Sequence, residues 1–346
     1  MATTTALTAK RAFFPLDEQL QVKDKHWSEG VSKLTTWLCG QVSYEDAAEI
    51  LAQVGGIHLS DSTAWRKTQQ WGKTLKTQEE VQAKAAQQKP VETNARVSEE
   101  RLGAAADGVI MYVRGEGWKE LKVGCVFQVA PRTVHDERID EDVIVGHAVQ
   151  QTYMAHLGGP QPFAQKWFAE ARRRNWLHVR QTQILGDGAP WIWNLAEEYF
   201  AGSQQTVDWY HAKQHLFAAC STLYAEGTPA AHRWMNQQSE RLYQGHAEGI
   251  AQTLRTVAEQ QPGADAEAGY FEVNHRRMNY MELREQGWVI GSGMIESGGK
   301  QFKARFAGPG MRWSRVGAEH LLPIRAAILG KQFDRLWGSV YYSPPN

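Results

Sequence analysis

Three acidic residues stand where a carboxylate is locally unfavourable. Asp107, in AADGV, and Asp187, in LGDGAPW, each follow a strand-like hydrophobic run and precede a glycine. An acid there is poor by strand propensity and costly if buried without a partner. Glu296 sits in GWVIGSGMIESGGKQFKARF (287–306), among five glycines and ahead of Lys300, Lys303 and Arg305. Plainer readings exist for each. Asp-Gly starts turns and caps helices routinely. With Gly293 as N-cap, Glu296 falls in the first helical turn, where the helix dipole favours an anion by roughly 0.3–1 kcal/mol. That account leaves Gly298 and Gly299 unexplained, since each costs about 0.8–1 kcal/mol in a helix interior relative to alanine. Glycines repay such a cost where a backbone or ligand comes close.

Taken together the three acids define a chemistry. Three converging carboxylates cannot all stay charged without a cation, and hard oxygen ligands favour Mg²⁺ or Mn²⁺. Two such ions make the clamp for in-line attack on a phosphodiester. Lys300 lies one turn beyond Glu296 and Lys303 one turn further, so that helix presents a metal ligand and then cations to a phosphate backbone. The window 290–325 holds Lys300, Lys303, Arg305, Arg312, Arg315 and Arg325 against Glu296 and Glu319, a basic stretch in a chain whose 38 Lys and Arg balance 38 Asp and Glu.

The elements that must position these residues can be read from pattern. RLGAAADGVIMYV, a GEG turn and WKELKVGCVFQVA read as a hairpin, with HDERIDED (135–142) as an acidic loop. A third strand lies within VIVGHAVQQTYMAHLG, a helix spans 160–176, TQILGDG is a short buried strand, and APWIWNLAEEYF is a helix with Pro190 in its first turn. QQTVDWY is a strand and HAKQHLFAACSTLY a helix. The order β-β-β-α-β-α-β-α is an α/β layout with a mixed sheet. In such a sheet the first strand is central and the fourth lies beside it, so Asp107 and Asp187 become neighbours. Residues 225–285 read as a helical insertion, Glu296 opens the next helix, and 316–337 forms one more.

Upstream, SYEDAAEILAQVGGIHLSDSTAWRKTQQWG (43–72) reads as two short helices around a glycine turn. Ser43 and Ser60 are N-cap candidates, and Ala47, Ile50, Leu51 and Val54 form an apolar stripe. Arg66 and Lys67 fall on polar positions of the second helix, the layout of a helix-turn-helix DNA reader or of an ordinary helical hairpin. The expected organisation is a DNA-binding helical region over 1–75, a linker over 76–100, the first part of the core over 101–224, the insertion over 225–285 and the closing helices over 286–346. No run of ~18 apolar residues is present, so no membrane partner is expected. The N-terminus lacks the apolar core of a secretory signal. Three scattered cysteines fit a reducing compartment and no zinc spacing. Most of the 14 tryptophans are expected in the core.

These motifs, with TVDWYHAKQHLF and GSGMIESGGKQFKARFAGPGMRWSRVGAEHLLPIRAAI, resemble the DDE transposases of the ISKra4 insertion-sequence family over 101–330. FFPLDEQLQV and the 43–72 segment resemble that family's N-terminal region. The resemblance implies an RNase H-like core, a metal-binding catalytic triad of Asp107, Asp187 and Glu296, and cleavage and strand transfer on double-stranded DNA at terminal inverted repeats and a target. It implies action beside the bacterial nucleoid in the cytoplasm, by a homo-oligomer assembled on DNA. It also implies an accessory motif at Asp208 and His211, which order the site or contact a flanking nucleotide; a helix start with Asp as cap accounts for them equally well. Trp313, in PGMRWS, stacks on a base or packs in the core. The cysteine-pair motifs of many relatives are missing from the N-terminal region. The competing expectations are a non-catalytic DNA-binding regulator, such as a domesticated derivative, and an RNase H-like exonuclease.

Overall fold

The computed structural model describes residues 27–88, 98–137 and 139–341. The FFPLDEQLQV segment and residues 89–97 of the expected linker lie outside the described residues. The chain divides into two compact units, one up to Trp71 and one from Gly72.

In the first unit, α1 (Glu29–Gln41) and α2 (Tyr44–Gly55) lead into α3 (Asp61–Gln88). Ser28, Ser43 and Ser60 cap the three helices by accepting the backbone N–H of Val31, Asp46 and Thr63. Gly56 ends α2 in the left-handed conformation, φ 61°. Leu38, Cys39, Ala47, Leu51 and Ala64 form the core. The apolar stripe expected on α2 is only half used, because Ile50 and Val54 are exposed. The second helix is also not short: it runs unbroken to Gln88. Within the second unit its later turns are docked rather than free as a linker. Leu75 and Ala83 are buried, Lys76 donates to Glu319 at 2.6 Å, and Lys166 pairs with Glu79.

The second unit is mixed α/β, a five-stranded mixed sheet flanked by helices. Its strands are β1 (Ser98–Val113), β2 (Gly117–Asp136), β3 (Glu141–Leu157), β4 (Val179–Gly186) and β5 (Gln204–Val207), in the order β3-β2-β1-β4-β5. β1 pairs antiparallel with β2 and parallel with β4. The expected acidic loop is instead the end of a long hairpin, with Val134 opposite Val143 and Asp136 opposite Glu141.

The period of two along β1 sorts its side chains by face. Leu102, Ala104 and Ala106 join Phe163, Trp167, Ile192 and Trp193, on α4 (Pro160–Arg173) and α5 (Pro190–Tyr199), in the main core. Gly103, Ala105, Asp107 and Val109 point the other way. The expected insertion is four helices, α7 (Pro229–Tyr243), α8 (Ala247–Ala258), α9 (Asp265–Asn274) and α10 (Tyr280–Glu285), which follow α6 (Trp209–Leu223). Ile250, Leu254, Phe271 and Tyr280 share the main core with the sheet. α11 (Gly293–Phe306) then crosses the face carrying Asp107, and α12 (Arg315–Leu329) and α13 (Phe333–Tyr341) follow. The single helix expected over 316–337 is broken where Lys331 takes φ 53°. No helix among the described residues is long and apolar enough to cross a membrane.

Candidate functional site

β1 and β4 run parallel with Ala105 opposite Leu185. Two residues further on each chain stand Asp107, within β1, and Asp187, the first residue past β4. The period of two turns Asp107 toward the face under α11, and the Asp187 charge acts on it from the end of β4. Each carboxylate takes a local hydrogen bond: Asp107 Oδ1 accepts from Gly108 N at 2.7 Å, and Asp187 Oδ1 from Ala189 N at 2.8 Å. The second bond braces the entry to α5, so Asp187 also serves the turn that its Asp-Gly sequence announces.

Burial pushes the Asp107 carboxyl above its ordinary pKa, against the Gly108 hydrogen bond, and the charges of Asp187 and Glu120 push it further. The His211 charge opposes them. The site is thus a half-buried concentration of negative charge beside one imidazole. Its donors are hard carboxylate oxygens, the set that suits Mg²⁺ or Mn²⁺, and a cation there would offset the repulsion at Asp107.

The N-cap of α11 is Ser292, one residue earlier than expected, and Ser292 makes no side-chain cap. Ile295, Gly298, Gly299, Phe302, Arg305 and Phe306 form the buried face. Close approach explains one interior glycine, Gly298, and not the other, Gly299. A Cβ on Gly298 would lie 2.5 Å from the Tyr153 ring, and one on Gly299 would lie 3.4 Å from Asp107 Oδ2. Tyr153 fixes the helix further by donating its hydroxyl to Met294 O at 2.9 Å. Glu296 is on the exposed side, where Lys300 Nζ lies 2.9 Å from its carboxylate. Among the described residues no group of three or more His, Cys, Asp or Glu side chains is gathered so as to hold a metal ion. Asp107, Asp187 and His211 are near enough for their charges to act on one another without forming such a group, while Glu296 pairs with its own helix neighbour.

Asp208 is buried and works as a double cap. Its Oδ1 accepts His211 N at 2.7 Å and contacts His211 Nδ1 at 3.0 Å, and its Oδ2 accepts the Ser292 N–H. Its own N–H donates to Gly186 O at 2.8 Å, and Trp209 N donates to Ile290 O at 2.9 Å. One residue thus ties the end of β4 to the starts of α6 and α11. Burial pushes this carboxyl up, but the hydrogen bonds from His211 and Ser292 outweigh it and hold the pKa below the usual value. The bond to Asp208 holds the His211 imidazole above its usual pKa, against its burial.

The residues expected to meet DNA divide by burial. Lys300, Lys303 and Arg312 are exposed, as is Arg66 on α3. Lys67 is half-buried with its ammonium 5.3 Å from the centre of the Trp27 ring, and burial lowers its pKa. Arg305 and Trp313 are placed against the DNA-contact expectation. Both are buried, with the guanidinium 5.0 Å from the centre of the Trp313 ring, and Trp313 Nε1 donates to Phe306 O at 2.9 Å. Position on a basic helix indicated a contact for Arg305, but its turn of α11 faces inward.

One contributor escaped the sequence reading. Tyr270, on α9, donates its hydroxyl to Asp187 O at 2.9 Å and stacks on His215 at 3.4 Å between ring centres. His215 in turn meets Glu267 at 2.6 Å. Gly188, φ 106°, leaves the room for the Tyr270 ring, since a Cβ there would come within 2.5 Å of it. The glycine after Asp187 was the available signal, but a turn explained it equally. No family model matches the chain, and no curated protein matches it.

Proposed function

We propose that this protein is a DDE transposase of the ISKra4 kind, with an RNase H-like core that cuts and joins DNA strands at the terminal inverted repeats of an insertion sequence. The observation that carries the reading is the nearness of Asp107 and Asp187, two residues beyond the paired Ala105 and Leu185 of adjacent parallel strands, with Asp107 beneath a helix that bears Glu296 one turn before the glycine facing it. Asp107 and Asp187 would hold the divalent ions, with Glu296 as third ligand once it leaves Lys300. When bound, Mg²⁺ or Mn²⁺ would activate the attacking oxygen and neutralise charge on the phosphodiester. The chain's own part is positional. The Asp208 cap fixes the start of α11, Gly299 leaves space beside Asp107, and Lys300, released from Glu296, and Lys303 are free to hold phosphate. Strand cleavage at paired ends calls for more than one protomer, so a homo-oligomer on DNA belongs to the proposal.

The test is a cleavage and strand-transfer assay on terminal-repeat DNA with Mg²⁺ or Mn²⁺. Asp107→Asn, Asp187→Asn and Glu296→Gln are each expected to abolish cleavage while leaving DNA binding within about threefold. Near wild-type cleavage by any one of them removes that residue from the site. The Glu296–Lys300 pair favours a second reading, a DNA-binding regulator without catalysis, and an inert wild-type protein that still binds the repeats would select it.

A further inference from the structure

Beyond the acidic site, the tip of the β1–β2 hairpin carries an exposed aromatic and cationic surface. Trp118 is 70% exposed, the most exposed tryptophan among the described residues, and Ile110 is 53% exposed. Tyr112 pairs with Trp118 across the two strands and Ile110 with Glu120, so the three apolar side chains share one face. Tyr112 meets Trp118 edge-on, ring centres 5.6 Å apart at 81°, and holds the indole upright. The turn between the strands is fixed by Gly115 and Gly117, both at φ 78°.

The segment after α11 brings a cation to the same face. Trp313 bridges Val113, and Arg114 N donates to Trp313 O at 2.8 Å. This short extended run alternates, so Trp313 turns into the core and Arg312 turns out, its guanidinium 5.9 Å from the centre of the Tyr112 ring. Arg114, in the turn, adds positive charge. The nearby acids are already engaged, Glu116 with Arg315 and Glu120 with Lys122, each at 2.5 Å.

We propose that this hairpin tip is a stacking platform for the unpaired bases of a DNA strand. Trp118 offers the ring, Tyr112 supports it, and Arg312 with Arg114 holds the phosphates. An indole next to exposed arginine side chains fits a strand whose bases are open, because every base has a face to stack and every linkage carries a charge. A paired duplex presents no such faces. The choice of DNA rests on the transposase reading, where strands separated at a cut end are the source of unpaired bases.

Binding of the full chain to fluorescein-labelled oligo(dT), and to the same strand paired with oligo(dA), tests this by anisotropy in EDTA, so that no cleavage enters. Trp118→Ala is expected to weaken single-strand binding about tenfold and to leave duplex binding unchanged, while Trp118→Phe keeps most of the affinity. Arg312→Ala is expected to weaken it and to reduce the salt slope by roughly one phosphate contact. Unchanged melting temperatures establish that the variants fold. Equal single-strand affinity of Trp118→Ala and wild type overturns the proposal, as does a wild type that does not bind the strand. Loss of self-association on sedimentation, with strand affinity kept, also overturns it and assigns the surface to a protein contact. Strand binding that depends on Trp118 in a chain that cuts nothing leaves this proposal standing and sinks only the catalytic one.

Discussion

Asp107 weakens the fold at neutral pH. Burial and the Asp187 charge raise its folded pKa above the unfolded value, so ionising it costs the folded state more than the unfolded chain. The cost is absent below the ordinary aspartate pKa of about 3.9 and is complete above the raised one. Asp107→Asn is therefore expected to melt higher than wild type at pH 7. Its advantage should fade as pH falls through the ordinary carboxylate range. Millimolar Mg²⁺ or Mn²⁺ should raise the wild-type melting temperature and leave that of Asp107→Asn unchanged, since a ligand stabilises only the state that binds it. A wild type indifferent to both ions removes the metal from this pair of acids.

At the scale of elements, the geometry of α11 depends on two glycines with opposite tolerances. Gly298→Ala drives a methyl into the Tyr153 ring and is expected to destabilise by about 1–3 kcal/mol despite its better helix propensity. Gly299→Ala makes ordinary contact with Asp107 and is expected to be neutral or to stabilise by up to about 1 kcal/mol. Urea denaturation of the two variants reads the difference. Asp208→Ala removes a cap and strands the buried Ser292 N–H, a loss of about 3 kcal/mol in the same experiment. The depressed pKa of Asp208 gives the opposite sign to Asp107. Its contribution is present above the ordinary aspartate range and is lost as pH falls through the folded value.

Much of this scaffold was legible. The strand and helix order led to β1 at the centre with β4 beside it, and hence to Asp107 next to Asp187. The failures have physical causes. A pattern of period 3.6 says which residues share a stripe but not which stripe packs, so Arg305 and Lys303 looked alike and face opposite ways. Glu296 and Lys300 are four apart, a spacing that forms an ion pair on any exposed helix. Asp208 meets Ser292 and Tyr270 meets Asp187 across 84 and 83 residues, and no local rule reaches that far.

Over the whole molecule, charge is balanced, so the DNA binding proposed above would have to come from a few local cations. With Arg66, Lys300, Lys303 and Arg312 meeting phosphates, the logarithm of affinity should fall with the logarithm of salt at a slope of roughly −3 to −4. Lys303→Ala should remove about one unit of that slope. Arg305→Ala should leave the slope alone and lower the melting temperature, because its guanidinium lies under Trp313. A titration of binding against KCl separates the two effects.

The parallel pairing of β1 with β4, and the return of α11 over β1 and β2, set an order of assembly on the ribosome. Residues 98–136 can close as a hairpin early, but Asp107 gains its neighbour only when 179–186 emerges, and its cover only when 293–306 does. A nascent chain arrested in the helices between has β1 beside β4 and no α11 across the face that carries Asp107. On the transposase reading, such a chain lacks the acid proposed as third ligand, so cleavage is expected only once most of the length has been synthesised.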